Sequence, residues 1–165
     1  MIEKTDLDGV LLVYPQTPHE DFRGVYRETY NEALYKAMGI HAHFVVDDIS
    51  TSRQFVLRGI HGDATTAKLI SCLYGALYVI VVNNDPDSPQ YRRWQGFTLS
   101  DRNCLQLYVP PKFGNGHLVL TDMAIFHYKQ SRYYYRVGQF TIKWNDPSYD
   151  FWWPVAEPIL SERDR

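Results

Sequence analysis

Apolar and polar positions alternate along most of the chain in short runs of period two, the pattern of strands packed on one face. Runs of this kind, rich in β-branched and aromatic residues, occupy 43–46, 55–60, 68–73, 76–82, 93–99, 104–109, 117–120, 125–129 and 139–144. An earlier run over 10–14 ends at Pro15 and leads into a loop holding Pro18, Asp21 and Gly24. One segment breaks the pattern: Asn31 can cap the stretch 32–38, with Gly39 as its stop signal, which predicts a single short helix. The turn-forming clusters 83–89 and 110–116 separate hairpins, not domains. Short strands at this spacing predict an all-β fold, as a sandwich, jelly roll or barrel.

Composition narrows the function more than the fold. With 165 residues, 45% of them hydrophobic, the chain can bury one ordinary core, so residues 1–165 are read as one domain. A net charge of -2 argues against the broad basic footprint of non-specific nucleic-acid binding, while leaving room for a local basic pocket. Cys72 and Cys104 form no Cys-x-x-Cys pair, so neither a disulfide framework nor a zinc knuckle is expected. The first residues carry charges where a signal peptide needs an apolar run, and no segment reaches the ~18 apolar residues of a membrane span. A soluble cytoplasmic protein is the expectation. Aromatic residues make up 15% of the chain, thirteen of them Tyr, which suits β structure and also the lining of sugar or base pockets.

Two stretches could carry chemistry. In Arg58-Gly59-Ile60-His61-Gly62-Asp63 a regular strand puts Arg58 and His61 on opposite faces, so a shared site requires a bend. Lys68 follows at a distance that lets it open the adjacent strand, and an Arg, a His and a Lys inside a barrel would have to be paired or used. Taken singly, a strand histidine is more often a solvent-facing or satisfied residue, and Lys68 would pass for a surface lysine. In Ile125-Phe126-His127-Tyr128-Lys129, Phe126 and Tyr128 share one face and His127 and Lys129 the other; Tyr128 alone would read as core. Tyr133-Tyr134-Tyr135 offers a stacking surface or an aromatic satellite core. A cupin-type metal site needs a His-x-His pair with a nearby Glu and a later His, whereas this chain has His61-Gly62-Asp63, so no metal is expected. No phosphate-binding glycine loop is present either, which leaves any phosphate to Arg and Lys side chains.

Read in order, Asp21-Phe22-Arg23-Gly24 with Glu28, Phe44-Val45, Val56 to His61, Lys68-Leu69, Tyr74-Gly75, Val109-Pro110, Phe126 to Lys129, Tyr133-Tyr134, Trp144-Asn145-Asp146 and Leu160 to Asp164 resemble the nucleotide-sugar 3,5-epimerase family of the cupin superfamily. The resemblance runs through nearly the whole chain. It implies a cupin-type jelly-roll β-barrel with one short N-terminal helix, working as a homodimer without a cofactor on a nucleotide-sugar substrate. By the same similarity His61 is the general base, Asp164 its orienting carboxylate, Tyr128 the general acid and Lys68 the cation that faces the enolate oxygen. Arg58 and Arg163 are implied for the diphosphate and sugar, Tyr134 for the nucleotide, and Arg23 and Glu28 for the nucleotide end, reaching across the dimer. Asn115 and Gln139 fall at further binding positions, where the family usually has His and Glu.

The chain also departs from the pattern. Rhamnose-pathway members read Gln-Asp-Asn-His-Ser where this chain has Val46-Asp47-Asp48-Ile49-Ser50, and the Ala-His-Gly loop has become Gly114-Asn115-Gly116. The expected reaction is epimerisation at C3, C5 or both of a dTDP-linked 4-keto-6-deoxy sugar. Arg58 to Asp63, Gly114-Asn115, Gln139-Phe140-Thr141 and Pro158 to Ser161 resemble instead a subgroup acting on GDP-linked 4-keto heptoses. A 3-only epimerase or ketoisomerase on the same scaffold, a metal-dependent cupin oxygenase and a silent sugar-binding module complete the alternatives.

Overall fold

A computed structural model describes residues 1–14 and 19–165, so Pro15 and Pro18 of the expected loop lie outside the described residues. The strands are β1 (Ile2–Lys4), β2 (Leu11–Val13), β3 (His19–Asp21), β4 (Gly24–Tyr26), β5 (Val46–Arg53), β6 (Leu57–Asp63), β7 (Lys68–Tyr74), β8 (Ala76–Asn83), β9 (Trp94–Ser100), β10 (Gln106–Val109), β11 (Phe113–Val119), β12 (Met123–Gln130) and β13 (Gln139–Thr141). One helix, α1 (Glu32–Ala37), interrupts them, together with a single 3-10 turn at Arg136–Gly138. The strands form a six-stranded sheet in the order β1-β2-β10-β7-β12-β5, a five-stranded sheet in the order β13-β6-β11-β8-β9, and the hairpin β3-β4. This is the expected all-β jelly roll with one short helix. Its two large sheets face each other as open layers, with no ladder joining them among the described residues.

Alternation along the strands builds three apolar layers. On β8, Leu77, Val79 and Val81 point between the sheets, where they meet Ile70 and Cys72 of β7 and Phe126 of β12. The intervening Ile80 and Val82 point the other way, with Leu57, Ile60 and Leu118, under a lid of Ile142, Trp153, Val155 and Leu160. Each fully buried Leu or Ile of this kind contributes roughly 1.5–3 kcal/mol. The outer face of the six-stranded sheet is closed by α1, whose Tyr35 packs on Val13, Ile40 and Leu69. As the pattern predicts, Asn31 caps this helix, its Oδ1 accepting from Leu34 N at 3.2 Å, and Gly39 follows at φ +97. No helix among the described residues is long and apolar enough to cross a membrane.

Two strands differ from their sequence reading. The segment Val46–Arg53 forms β5, although only its first residue lies in an expected strand, and Gly114 to Gly116 sit inside β11, not in a turn. Both exceptions line the space between the sheets at its polar end. Asp48, Ser50 and Ser52 face inward from β5, so its alternation is polar-in and carries no hydrophobic signal. Glycines are required in β11 because a Cβ on Gly114 would lie 2.8 Å from Ile60 Cγ2, and one on Gly116 would lie 3.0 Å from Ile60 Cγ1. The hairpin β3-β4 and strand β1 are further strands that the apolar pattern does not show.

The bend required between Arg58 and His61 is a β-bulge. Arg58 pairs with His117 of β11 and His61 with Asn115, so three steps on β6 oppose two on β11. The extra residue restores the phase: both side chains face the interior, and Ile60 remains in the outer layer. Gly59 makes this possible, because it holds φ +116 and because a Cβ there would lie 2.5 Å from Gly116 Cα. Gly59→Ala is therefore expected to cost more than about 2 kcal/mol, from the left-handed backbone and the collision with β11 together. Urea unfolding of the variant against the parent chain measures this; a loss under roughly 0.5 kcal/mol, the range of an ordinary surface change, would contradict it.

Candidate active site

The bulge opens onto a cleft of about 330 Å³ between the two sheets, into which Arg58, His61, Lys68, Asn115, Tyr128, Tyr134, Gln139, Arg163 and Asp164 all project. Nine of the eleven residues singled out from the sequence thus meet in one place. The other two, Arg23 and Glu28, lie elsewhere in the chain. Arg23 pairs with Asp21 at 2.6 Å on the exposed β3-β4 hairpin, and Glu28 borders a separate small cavity with Arg27, Cys104 and Gln106. Within one chain, then, Arg23 and Glu28 do not line the cleft.

His61 faces Asp164, with Nε2 and Oδ1 2.8 Å apart, the imidazole 22% and the carboxylate 4% exposed. At this distance the carboxylate orients the ring and supports its protonated form. Asp164 reaches His61 because the tail runs back along β6: Ile159 forms a parallel bridge with Val56, donating to Phe55 O at 2.8 Å and accepting from Leu57 N at 2.9 Å. Past this anchor, Ser161 Oγ donates to Asp164 Oδ2 at 2.8 Å and fixes the carboxylate. Burial pulls the His61 pKa below its ordinary value, helped by the Arg163 cation and opposed by Asp164. A neutral imidazole, able to accept a proton, is the result.

Lys68 opens β7 in the opposite sheet and spans the gap. Its ammonium donates to Asn115 Oδ1 at 2.7 Å and to the His61 carbonyl at 3.3 Å, both on the five-stranded sheet. Burial brings its pKa down to about 8, with Asp63 opposing. Among the described residues no carboxylate lies within ion-pair distance of it, so a buried cation is solvated by neutral dipoles and left without a counter-charge. Such a site favours a ligand that brings or develops negative charge.

Tyr128 stands on β12, in the same sheet as Lys68 and across the cleft from His61. Burial raises its pKa, and Asp48, its cross-strand partner on β5, raises it further. The other face of β12 matches its sequence reading, with His127 and Lys129 both reaching Asp47. Arg58 donates from Nε to Ser52 Oγ at 3.1 Å, and Arg163 to Thr141 Oγ1 at 3.4 Å. Gln139 donates to Asp63 Oδ2 at 2.7 Å, while Asp63 Oδ1 caps the turn after β6 through Thr65 N and Thr66 N. Three cations and one carboxylate line the cleft directly.

Five lining residues were given no site role in the sequence reading: Ser50, His117, Phe126, Gln130 and Ser161. The available signal was the alternation of Asp48, Ser50 and Ser52, a polar face that belongs to a strand beside a wet cleft. His117 stacks on Phe126 with centroids 3.9 Å apart, and burial next to Arg58 and His61 drives its pKa down to about 3, so it sits in the wall as a neutral ring. No three His, Cys, Asp or Glu side chains converge as a metal-binding group among the described residues.

The comparisons with known proteins agree with one another. A family model described as dTDP-4-dehydrorhamnose 3,5-epimerase matches residues 4–165. The dTDP-4-dehydrorhamnose 3,5-epimerase of Methanothermobacter thermautotrophicus is 35% identical over 167 residues, which cover 98% of this chain and 90% of that protein. The Bacillus anthracis enzyme of the same name, solved with TDP and PPi bound, superposes with a TM-score of 0.96 at 34% identity, covering 100% of this chain and 96% of its own. The dTDP-6-deoxy-D-glucose-3,5-epimerase of Legionella pneumophila, solved in complex with dTDP-4-keto-L-rhamnose, superposes with a TM-score of 0.94 at 34% identity, covering 99% and 89%. Matched by the family model over residues 4–165 and by a relative 35% identical over nearly its whole length, the chain belongs to the dTDP-4-dehydrorhamnose 3,5-epimerase family.

Proposed function

We propose that residues 1–165 act as one epimerase domain that inverts C3 and C5 of a dTDP-linked 4-keto-6-deoxy sugar. The observation that carries this reading is the opposition of His61 and Tyr128 on facing sheets, with the Lys68 ammonium lining the same cleft. A C–H bond next to a ketone breaks readily only if the electrons it leaves can settle on oxygen. His61 takes that proton; the electron pair moves into an enolate whose oxygen faces Lys68. Tyr128 then gives its hydroxyl proton to the other face of the same carbon, and configuration inverts. Asp164 holds the imidazole and supports the imidazolium that forms.

Substrate grip follows from charge and shape. Arg58 and Arg163 suit a diphosphate, Tyr134 a ring at the rim, and Asn115 and Gln139 the sugar hydroxyls. Arg23 and Glu28 enter this reading through a homodimer, in which the β3-β4 hairpin of one protomer covers the cleft of its partner. The 98% exposed Phe22 at the hairpin tip, beside exposed Val25 and Tyr26, favours such a cover. Free Cys72 and Cys104 suit a reducing compartment, which favours the cytoplasm as the site of action.

Two tests follow. In D2O, a dTDP-linked 4-keto-6-deoxyglucose should gain a deuteron at each inverted centre, and His61→Ala should slow this about 10²–10⁴-fold. No deuterium from the parent chain on that substrate, with incorporation into a GDP-linked 4-keto sugar instead, would replace the nucleotide. The pH dependence of kcat/KM should be bell-shaped. Activity falls on the acid side as His61 protonates below its ordinary value, and on the alkaline side near pH 8 as Lys68 loses its charge. Asp164→Asn removes the charge that raises the His61 pKa, so the acid limb should move to lower pH; an unmoved limb would contradict the pairing.

A further inference from the structure

Epimerisation by two residues leaves each of them in the wrong protonation state. After one inversion the C–H bond on the first face is broken and that on the second is made; His61 is an imidazolium and Tyr128 a phenolate. The substrate is neutral in this exchange, so the enzyme must shed one proton and regain another before it can act on a second centre. His61 can discharge through its ring nitrogens. Tyr128 is half-buried on the inner face of β12, and its hydroxyl needs a route to a proton source.

The residues around that hydroxyl are few. Across β12 and β5, Tyr128 pairs directly with Asp48, which puts the two side chains side by side on the inner face. Asp48 is itself half-buried on β5, the edge strand of its sheet, and Gln130 of β12, buried and lining the cleft, donates from Nε2 to Asp48 Oδ2 at 3.1 Å. The amide holds the carboxylate toward the phenol. From the remaining elements, Arg58 of β6 and Tyr134 of the loop after β12 are the titratable or charged groups that act on Tyr128. Arg58 is cationic and spends its Nε on Ser52 Oγ, so it can stabilise a phenolate but cannot return a proton to it. Tyr134 is a second phenol.

We propose that Asp48 is the proton relay of this site, a positioning residue for Tyr128 that returns a solvent proton to the phenolate after each inversion. This rests on the epimerase reading above. A water O–H at the sheet edge breaks as an O–H forms on one carboxylate oxygen, and the hydroxide left is neutralised by the proton that His61 sheds to solvent; the carboxyl O–H then breaks as the Tyr128 O–H forms, and Asp48 ends as the carboxylate it began. Between turnovers the same negative charge discourages ionisation of Tyr128, and the raised phenol pKa accords with that. Gln130 is the hinge of the arrangement: by engaging Oδ2 it keeps Asp48 turned inward.

Asp48→Asn keeps the shape and the bond to Gln130 in reach while removing the exchangeable carboxylate proton. The test incubates the parent chain and Asp48→Asn in D2O with dTDP-linked 4-keto-6-deoxyglucose, with and without sodium formate, and scores deuterium at C3 and C5 by NMR. The variant should incorporate deuterium at the first centre, lag roughly tenfold or more at the second, release singly inverted sugar, and regain rate with rising formate, a weak acid small enough to enter; this size is at the low end for a positioned proton-transfer group. The parent chain should not respond to formate. An Asp48→Asn enzyme with the parent rate and product ratio, or one that is slow but indifferent to formate, overturns the relay. Absence of deuterium in the parent chain with both this sugar and its GDP-linked counterpart overturns the epimerase reading instead, and the relay with it; incorporation into the GDP-linked sugar alone moves the same comparison of Asp48→Asn with the parent chain to that substrate.

Discussion

A strand turns successive side chains to opposite faces, and everything in this site depends on one departure from that rule. Arg58 and His61 are three residues apart, an odd separation that would send one of them into the outer apolar layer. The bulge at Gly59 inserts one residue against β11 and brings both into the cleft, while Ile60 stays in the core beneath Trp153 and Leu160. The glycine pair Gly59 and Gly116 allows the two backbones to approach closely enough for this. Sheet pairing then fixes the rest. His61 is flanked by Asn115 on one side and Thr141 on the other, so the imidazole, the residue that holds Lys68 and the residue that holds Arg163 occupy one rank across three strands.

Around this rank the electrostatics follow from burial. An ammonium placed between two sheets loses its hydration, and Lys68 recovers part of it from an amide oxygen and a carbonyl without gaining a carboxylate partner. In the proposed reaction this deficit is what Lys68 would offer: negative charge that develops on a bound ketone would meet a cation already in position. His61 differs because it has its own counter-ion in Asp164, which opposes the effect of burial and of Arg163. One residue thus remains a base at neutral pH and the other a cation, through unequal pairing in a common environment. The dependence of Asp164 on the Val56 and Ile159 bridge ties this chemistry to the last turn of the chain.

The sequence made legible those parts of the fold that bury hydrocarbon. The capped helix α1 and the apolar strands β7, β8, β9, β10 and β12 follow directly from alternation and end signals. The strands that line the cleft were harder to see for the same reason that they line it. β5 turns Asp48, Ser50 and Ser52 inward, and β11 contains Gly114, Asn115 and Gly116, a composition that otherwise marks turns. The site residues were legible mainly through family resemblance. Spacing alone put Arg58 and His61 on opposite faces, and gave no hint that the charged tail returns to meet His61. Arg23 lies away from the cleft on the exposed β3-β4 hairpin, paired with Asp21, and Glu28 beside a separate small cavity.

In the proposed reaction the sheets divide the labour, the five-stranded sheet supplying the base and the six-stranded sheet the acid. This division is tested most directly by Tyr128→Phe in D2O, following both deuterium uptake and configuration at C3 and C5 of a dTDP-linked 4-keto-6-deoxy sugar. His61 should still exchange the proton it reaches, so that deuterium enters with the original configuration retained and inverted product falls by about 10²-fold or more. Inverted, deuterated sugar formed at the parent rate would contradict it.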